Sequence, residues 1–424
     1  MITAIGFIVL LLLGVPIAWV LGLTGVIHIL SSGNLIFMDN LAQRMFNGVN
    51  LFGLLAVPLF LFAGELMNSG GLTERLANFA RSLVGHYRGG LAYVTTLVAM
   101  FLAAIVGSAT AITAVGCKTL VPEMKKDGYD EDFAVGVVAA ASILGPIIPP
   151  SMIFVVYGVV ASVSIGAMFI GGIIPGIILG LAFMAVAFVI SHKKQYPILP
   201  RATFKDFLSG LKQAAPALSL PVVILGGMLC GVFTPTECAG MAVVVSIIVG
   251  KFIYKDLQWR MIPEMLKNTA VTTAAVLIII ATANIFGWTL AIQQVPQAIG
   301  HALLSISSNP YVILLIINVF LLFVGCIMET FAAIVILVPV FAPIITQLGI
   351  DPLHFGLMMS INLIVGLITP PVGLCLFVAS SMSDVDFDHM SKVIIPYVLV
   401  SIIVVLLITY VPQLTLWLPN LVFN

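Results

Sequence analysis

The 424-residue chain is 61% hydrophobic and only 8% charged, against about 25% charged residues in an average soluble domain, so it is excluded from the soluble class and must cross a bilayer repeatedly. At roughly 20 residues per spanning helix, its apolar content allows about 10 to 14 crossings or half-crossings. Lys and Arg number 17, as do Asp and Glu, which argues against a nucleic-acid partner.

In chain order, residues 2–30 predict a first membrane helix rather than a cleaved signal, because no basic leader or small-residue cleavage motif precedes them. Gly14-Val-Pro16 interrupts it, and a polar connector with Asn34, Asp39, Arg44 and Asn47 leads to an apolar run over 51–67. Over 73–88, Leu76, Phe79, Ala80 and Leu83 recur at helical spacing beside three arginines, the pattern of an amphipathic helix lying in the interface. Residues 90–125 form two half-length apolar arms around Gly107-Ser-Ala-Thr110, which predicts a re-entrant hairpin. A broken helix over 131–162 carries Gly145-Pro-Ile-Ile-Pro-Pro-Ser151, a crossing covers 168–190, and a basic, Pro-containing stretch over 191–216 reads as a cytoplasmic linker.

The second half runs through 217–232, Phe233-Thr-Pro-Thr-Glu-Cys238 and an apolar run to 253, then a basic stretch and a helix over 271–290. Polar sequence over 293–309 precedes a second candidate hairpin, 311–345, with the tip Gly325-Cys-Ile-Met-Glu-Thr330. A second broken helix, 354–383, carries Gly366-Leu-Ile-Thr-Pro-Pro-Val-Gly373, and a last helix covers 394–418. The expected division is scaffold helices and an arm over 1–88, a first transport repeat over 89–190, the linker, scaffold and a second arm over 217–307, a second transport repeat over 308–383, and a C-terminal helix in 384–424.

The two Pro-Pro stretches organise the rest. Proline has no N–H, so Pro149 and Pro150 deprive the carbonyls of Gly145 and Pro146 of helical partners, as Pro370 and Pro371 do for Gly366 and Leu367. Non-helical backbone at membrane depth is tolerated only where protein or a watery cavity covers it. Paired breaks in two halves of a chain point to a midplane transport site.

The halves repeat: Gly128, Asp130, Gly145, Pro149, Pro150 and Pro175 recur 221 positions later as Gly349, Asp351, Gly366, Pro370, Pro371 and Pro396. Leu120-Val-Pro122 aligns with Leu337-Val-Pro339 at an offset of 217, implying four extra residues in the second copy. All Lys and Arg except Lys392 occur by Lys267, so matching loops differ in charge and, by the positive-inside rule, lie on opposite sides of the membrane. The fold class is therefore an all-α polytopic membrane protein with inverted repeats, two re-entrant hairpins and two discontinuous helices. Parity puts the linker in the cytoplasm and the C-terminus outside, with the N-terminal side left open.

Pro58-Leu-Phe-Leu-Phe-Ala-Gly-Glu-Leu-Met67, Gly107-Ser-Ala-Thr110, both Pro-Pro motifs and Gly231-Val-Phe-Thr-Pro-Thr-Glu237 together resemble the large membrane subunit of the tripartite ATP-independent periplasmic (TRAP) transporters over nearly the full length. The resemblance implies a sodium-driven importer in the bacterial inner membrane whose solute arrives on a periplasmic substrate-binding protein. It also implies a small four-helix membrane subunit as partner and an elevator movement of the hairpin-containing part. Lys118 departs from the family pattern, which puts a C4-dicarboxylate solute in doubt and leans toward an acidic sugar such as sialic acid.

The expected ion sites pair Gly107, Ser108 and Thr110 with Gly145 and Pro149, and Gly325, Glu329 and Thr330 with Gly366 and Thr369, because bare carbonyls and hydroxyls can ligate Na+ without burying formal charge. Half-helix N-termini at Pro150, Ser151, Pro370 and Pro371 suit a solute carboxylate. Lys118 either contributes to the solute site or snorkels to the surface. Glu65 and Glu237 are either functional or solvated or capping groups near helix ends, and Glu329 either contacts the ion or bonds N–H groups of its tip. Asn284, Asn318 and Asn362 read as interhelical hydrogen-bonding groups. The five cysteines read as small buried hydrophobes. No cofactor other than the coupling ion, and no histidine metal motif, is expected. An intramembrane enzyme would need a Ser-His, HExxH or paired-Asp arrangement that the spans lack, and the alternative function is a stand-alone sodium/carboxylate symporter.

Overall fold

The computed structural model describes residues 2–33, 35–68 and 72–423; Asn34 of the polar connector lies outside them. Among the described residues the regular elements are helices: α1 (Ile2–Leu12), α2 (Ile17–Ser32), α3 (Asp39–Val49), α4 (Ala56–Asn68), α5 (Leu72–Val84), α6 (Gly90–Val106), α7 (Ala109–Lys126), α8 (Glu131–Ser142), α9 (Met152–Val160), α10 (Ile165–Lys194), α11 (Phe204–Leu229), α12 (Pro235–Ile247), α13 (Ile262–Ile292), α14 (Val295–Ile306), α15 (Pro310–Ile327), α16 (Thr330–Gln347), α17 (Pro352–Gly366), α18 (Leu374–Ser381), α19 (Phe387–Val393), α20 (Ile395–Tyr410) and α21 (Gln413–Phe423). Their starts are chemically marked. Ser108, Ser151, Ser164, Thr203, Thr234, Asn309, Glu329 and Asp351 each accept a main-chain N–H of the turn that follows, satisfying donors that a helix leaves unbonded.

Among the described residues, six helices are long and apolar enough to cross a membrane, or up to eight if two bent pairs are each one span. Both arms of the second hairpin, α15 and α16, are among these six at 18 residues each, so they are not the half-length arms expected. The half-helices α8, α9, α17 and α18 fall short individually because the Pro-Pro breaks interrupt them. The connector between halves is shorter than the expected 191–216. Helix α10 continues through Lys194, and a capping box of Thr203 and Asp206 starts α11, so only 195–203 is non-helical. The C-terminal region is likewise three helices rather than one.

The repeat is more regular than the sequence motifs indicate. Helices α7 and α16 each have 18 residues and start 221 positions apart, at Ala109 and Thr330, with N-caps Ser108 and Glu329. No four-residue insertion exists: Pro122 matches Pro343, one turn beyond Pro339, and two prolines in one helix misdirect a motif alignment.

The broken helices run in opposite directions between two faces. Helix α8 starts at a basic face, where Asp130 receives Lys194 and Tyr196, Arg81 pairs with Glu123 at 2.8 Å, and Arg75 pairs with Asp256 at 2.7 Å. Helix α9 ends where the Tyr157 hydroxyl donates to Pro352 O at 3.0 Å, beside the start of α17. Helix α18 in turn leads back to the basic face, where Asp384 N–H meets Glu131 and His389 meets Asp132 at 3.2 Å. The 30-residue α10, about 45 Å long, passes from Leu357 and Thr415 at Gly171 to Asp130 at Lys194. Hairpin α6–α7 is thus rooted at the basic face beside Asp130, and α15–α16 at the opposite face beside Asp351. Phe423 packs at Gly166 on that opposite face. Gln293, at the far end of α13, bonds both Thr3 and His28 at 2.8 Å, placing the open ends of the α1–α2 hairpin there as well.

Candidate functional site

Each hairpin tip meets the break of its own repeat. Helix α6 stops at Gly107, whose φ of +61° favours glycine. Ser108 then caps α7, its hydroxyl 3.2 Å from Thr110 Oγ1 and accepting Ala111 N–H. A Cβ on Gly107 would sit 3.7 Å from Pro150 O and 3.5 Å from Met152 Cε, so Gly107, Ser108 and Thr110 face the first break. Gly145 lies close against α7, where a Cβ would come within 2.5 Å of Ile112 Cδ1.

At the second site the contact is backbone on backbone. A Cβ on Gly366 would lie 2.2 Å from Gly325 C, and Gly373 N–H donates to Cys326 O at 3.2 Å. Gly325 is still helical, in the last turn of α15; the tip itself is Met328–Glu329. Glu329 accepts Ala332 N–H at 3.2 Å, which is the N–H-bonding role, while Thr330 is buried with its hydroxyl unpartnered among the described residues.

Which carbonyls are bare differs from the simple proline argument. Pro146 O accepts the Ser151 hydroxyl, Gly366 O accepts Thr369 N–H at 3.0 Å, and Leu367 O accepts Cys375 N–H at 2.9 Å. The tight turns that follow a break bring new donors back to carbonyls that the prolines leave unpaired. Among the described residues the carbonyls of Gly145, Ile148, Ile368 and Thr369 accept no hydrogen bond. The Thr369 hydroxyl donates to Val365 O at 2.8 Å and retains its acceptor lone pairs. Both Pro149–Pro150 and Pro370–Pro371 peptide bonds are cis. Pro149, Pro150 and Ser151 are buried, whereas Pro371 and Val372 are exposed, so the first break is closed and the second open.

A family model described as "Tripartite ATP-independent periplasmic transporter, DctM component" matches residues 4–414. The chain belongs to this family. It is 39% identical to the sialic acid TRAP transporter large permease protein SiaM of Vibrio cholerae, over 98% of this chain and 97% of that protein. It is 39% identical to the C4-dicarboxylate TRAP transporter large permease protein DctM of Pseudomonas aeruginosa, over 94% and 93%. The isethionate TRAP transporter permease protein DctMQ of Oleidesulfovibrio alaskensis is 41% identical, over 97% of this chain and 65% of that protein. In fold the chain resembles the crystal structure of the Alcanivorax borkumensis YdaH transporter, with a TM-score of 0.65 at 15% identity, over 91% of this chain and 89% of that one. A TRAP large permease is a multi-pass transporter component and not an enzyme.

Not every candidate joins this TRAP core. Lys118 projects from the exposed face of α7, eight residues or about 12 Å along the helix from Thr110, so it stands apart from Pro150 and Ser151. Glu237 is the third residue of a capping box, accepting Thr234 N–H at 2.7 Å. Glu65 is half-buried in the last turn of α4, where a carboxylate cannot cap main-chain N–H groups. Cys230 is exposed, against the expectation for all five thiols. Asn362 donates to Asn318 at 2.6 Å and Asn318 to Thr409 at 3.1 Å, binding α17, α15 and α20. Sequence reading missed the fully buried Thr113, Ser142 and Cys375, where the thiol of α18 lies beside the hydroxyls of α7 and α8, which donate to Ala109 O at 2.9 Å and Ala139 O at 2.7 Å. Their residue types are unremarkable singly, and only the interlocked repeats bring them together.

Proposed function

We propose that this chain is the large membrane subunit of a sodium-coupled importer of organic acids in the bacterial inner membrane. Its partners are a small membrane subunit and a periplasmic binding protein that delivers the solute. The observation that carries this reading is the pair of hairpin-to-break contacts approached from opposite faces, Gly107 at the first tip with Pro150–Met152 and Gly325, in the last turn before the second tip, with Gly366. Each holds bare carbonyls and hydroxyls at a helix break, the donor set a hard monovalent cation takes.

In this reading Gly107, Ser108, Thr110, Gly145 and Pro149 frame one Na+, and Gly325, Glu329, Thr330, Gly366 and Thr369 frame the other, with Glu329 acting as cap to the tip. Pro150, Ser151, Pro370 and Pro371 lie beside the solute. The transport domain is α6–α10 with α15–α18, moving as an elevator against a scaffold of α1–α4 and α11–α13, with α5 and α14 as arms. Sialic acid, C4-dicarboxylates and isethionate, named for the relatives, share an oxyanion, and this chain's solute is of that class. Uptake of a panel of organic acids by the reconstituted complex, with the sodium gradient present and then collapsed, tests the reading. Equal uptake in both conditions refutes sodium coupling, and full activity without partner proteins returns a stand-alone symporter.

A further inference from the structure

The one cation on the face opposite the basic one, among the described residues, is Arg44. It lies on α3 in a cleft of about 530 Å³ between scaffold and transport domain, with Asn47, Ser162, Asn284, Trp288 and Pro339 among the lining residues. Its guanidinium stacks on the Trp288 ring at 4.5 Å, makes no ion pair among the described residues, and has a buried Nε without a hydrogen-bond partner. A charge at this depth is costly when uncompensated. Purely structural arginines in membrane proteins find a carboxylate or carbonyl; this one is held by an aromatic face that leaves its fork of donors open.

The cleft has a built shape. Gly48 allows α3 onto α13, since a Cβ there would meet Asn284 Cβ at 2.9 Å, and Gly287 sets α13 against Pro339 of α16. These two contacts put the Asn284 amide, the Asn47 amide and the guanidinium around one space whose opposite wall, α9 and α16, belongs to the transport domain. Pro339 is nine residues, about 14 Å, along α16 from Thr330. A molecule in this space therefore lies on the path between the outer face and the second tip.

We infer that Arg44, seated on Trp288 and flanked by Asn47 and Asn284, is an oxyanion-recognition site on the scaffold that takes the carboxylate or sulfonate of the incoming solute before the transport domain receives it. The inference rests on the importer reading. A guanidinium offers two parallel N–H donors to a carboxylate and the amides can bond solute hydroxyls or a second carboxylate, so the site selects for anionic head groups and tolerates varied remainders.

The test uses the complete transporter in proteoliposomes with Arg44→Gln and Arg44→Lys. Arg44→Gln is expected to raise KM for the transported acid at least tenfold while the remaining uptake keeps its sodium dependence, with Arg44→Lys recovering part of the loss. A second readout guards against misfolding. In a Trp19→Phe, Trp259→Phe, Trp417→Phe background, Trp288 is this chain's only indole, and the difference in emission between this complex and the same complex with Trp288→Phe should respond to the transported acid but not to its neutral amide; Arg44→Gln should abolish that response. An unchanged KM in Arg44→Gln, or a Trp288 emission blind to an acid that the same protein transports, overturns the site and leaves the importer reading standing. Absence of organic-acid uptake by the unmodified complex overturns both.

Discussion

Replacing Gly366 by alanine is the most incisive perturbation of the proposed sodium sites. The added Cβ would lie 2.2 Å from Gly325 C, 2.5 Å from Gly325 Cα and 2.6 Å from Gly325 O. Non-bonded carbons settle near 3.5 Å, so tip and break must separate by about 1 Å. Overpacking of this kind costs about 1–3 kcal/mol, and because it opens the ligand shell, the same amount lost from ion binding is about 5- to 150-fold in sodium affinity. Gly145 supplies the control. Its added Cβ would meet Ile112 Cδ1 at 2.5 Å, the far end of a flexible side chain, and Ser142 O at 3.0 Å. Gly145→Ala should therefore be milder, and Ile112→Val, which removes the offending methyl, should restore it further. Side-chain trimming should not rescue Gly366→Ala, since the three nearest atoms are all main chain of Gly325. The assay is sodium-dependent uptake at varied sodium concentration, with thermal unfolding of each variant. Wild-type sodium affinity in Gly366→Ala, or greater damage from Gly145→Ala, would refute the reasoning.

Thr330→Val removes a buried hydroxyl without a partner among the described residues, so sodium affinity should fall while thermal stability holds or rises; loss of stability without change in sodium affinity would assign the hydroxyl to packing. Asn362→Leu leaves Asn318 Oδ1 without its donor and should destabilise the protein by about 1–3 kcal/mol, read as a lowered unfolding midpoint. Asp130 is held below the usual carboxylate range by hydrogen bonds from Lys194 and then Tyr196. Its contribution is fully present above the ordinary Asp pKa, near 4, and is lost as pH falls through the lower folded value. Asp130→Asn should thus shrink the acid-induced drop in stability below about pH 4, and an identical acid profile in the variant would remove this clamp from the account. Lys118→Gln should leave solute KM essentially unchanged, since Lys118 lies on the exposed face of α7, eight residues along the helix from Thr110.

Much of the core was legible because its causes are local. Hairpin arms at 90–125 and 311–345 emerge as α6–α7 and α15–α16 within a residue or two, since Gly107 and the Met328–Glu329 tip end the apolar runs, although the arms are 17 or 18 residues long rather than half-length. The Pro-Pro stretches break their helices as the missing N–H requires. What failed was local reasoning carried too far. The carbonyls of Pro146, Gly366 and Leu367 are not bare, because Ser151, Thr369 and Cys375 return as donors after the turn. Pro339 drew the alignment away from Pro343 because a motif match cannot see that α7 and α16 have equal length.

The chain's composition, its two proline breaks and its one-sided basic residues by themselves determined a polytopic membrane protein made of two inverted copies, since hydropathy, a missing amide hydrogen and charge bias act through near neighbours. Only the folded arrangement decided that Gly325 would touch Gly366, that Asn318 would join Asn362, and that Arg44 would lie on Trp288 beside an open cleft. Those pairings join distant stretches of chain, and they form because each interior surface has one partner of complementary shape, a property of the packed helices that no single stretch carries alone.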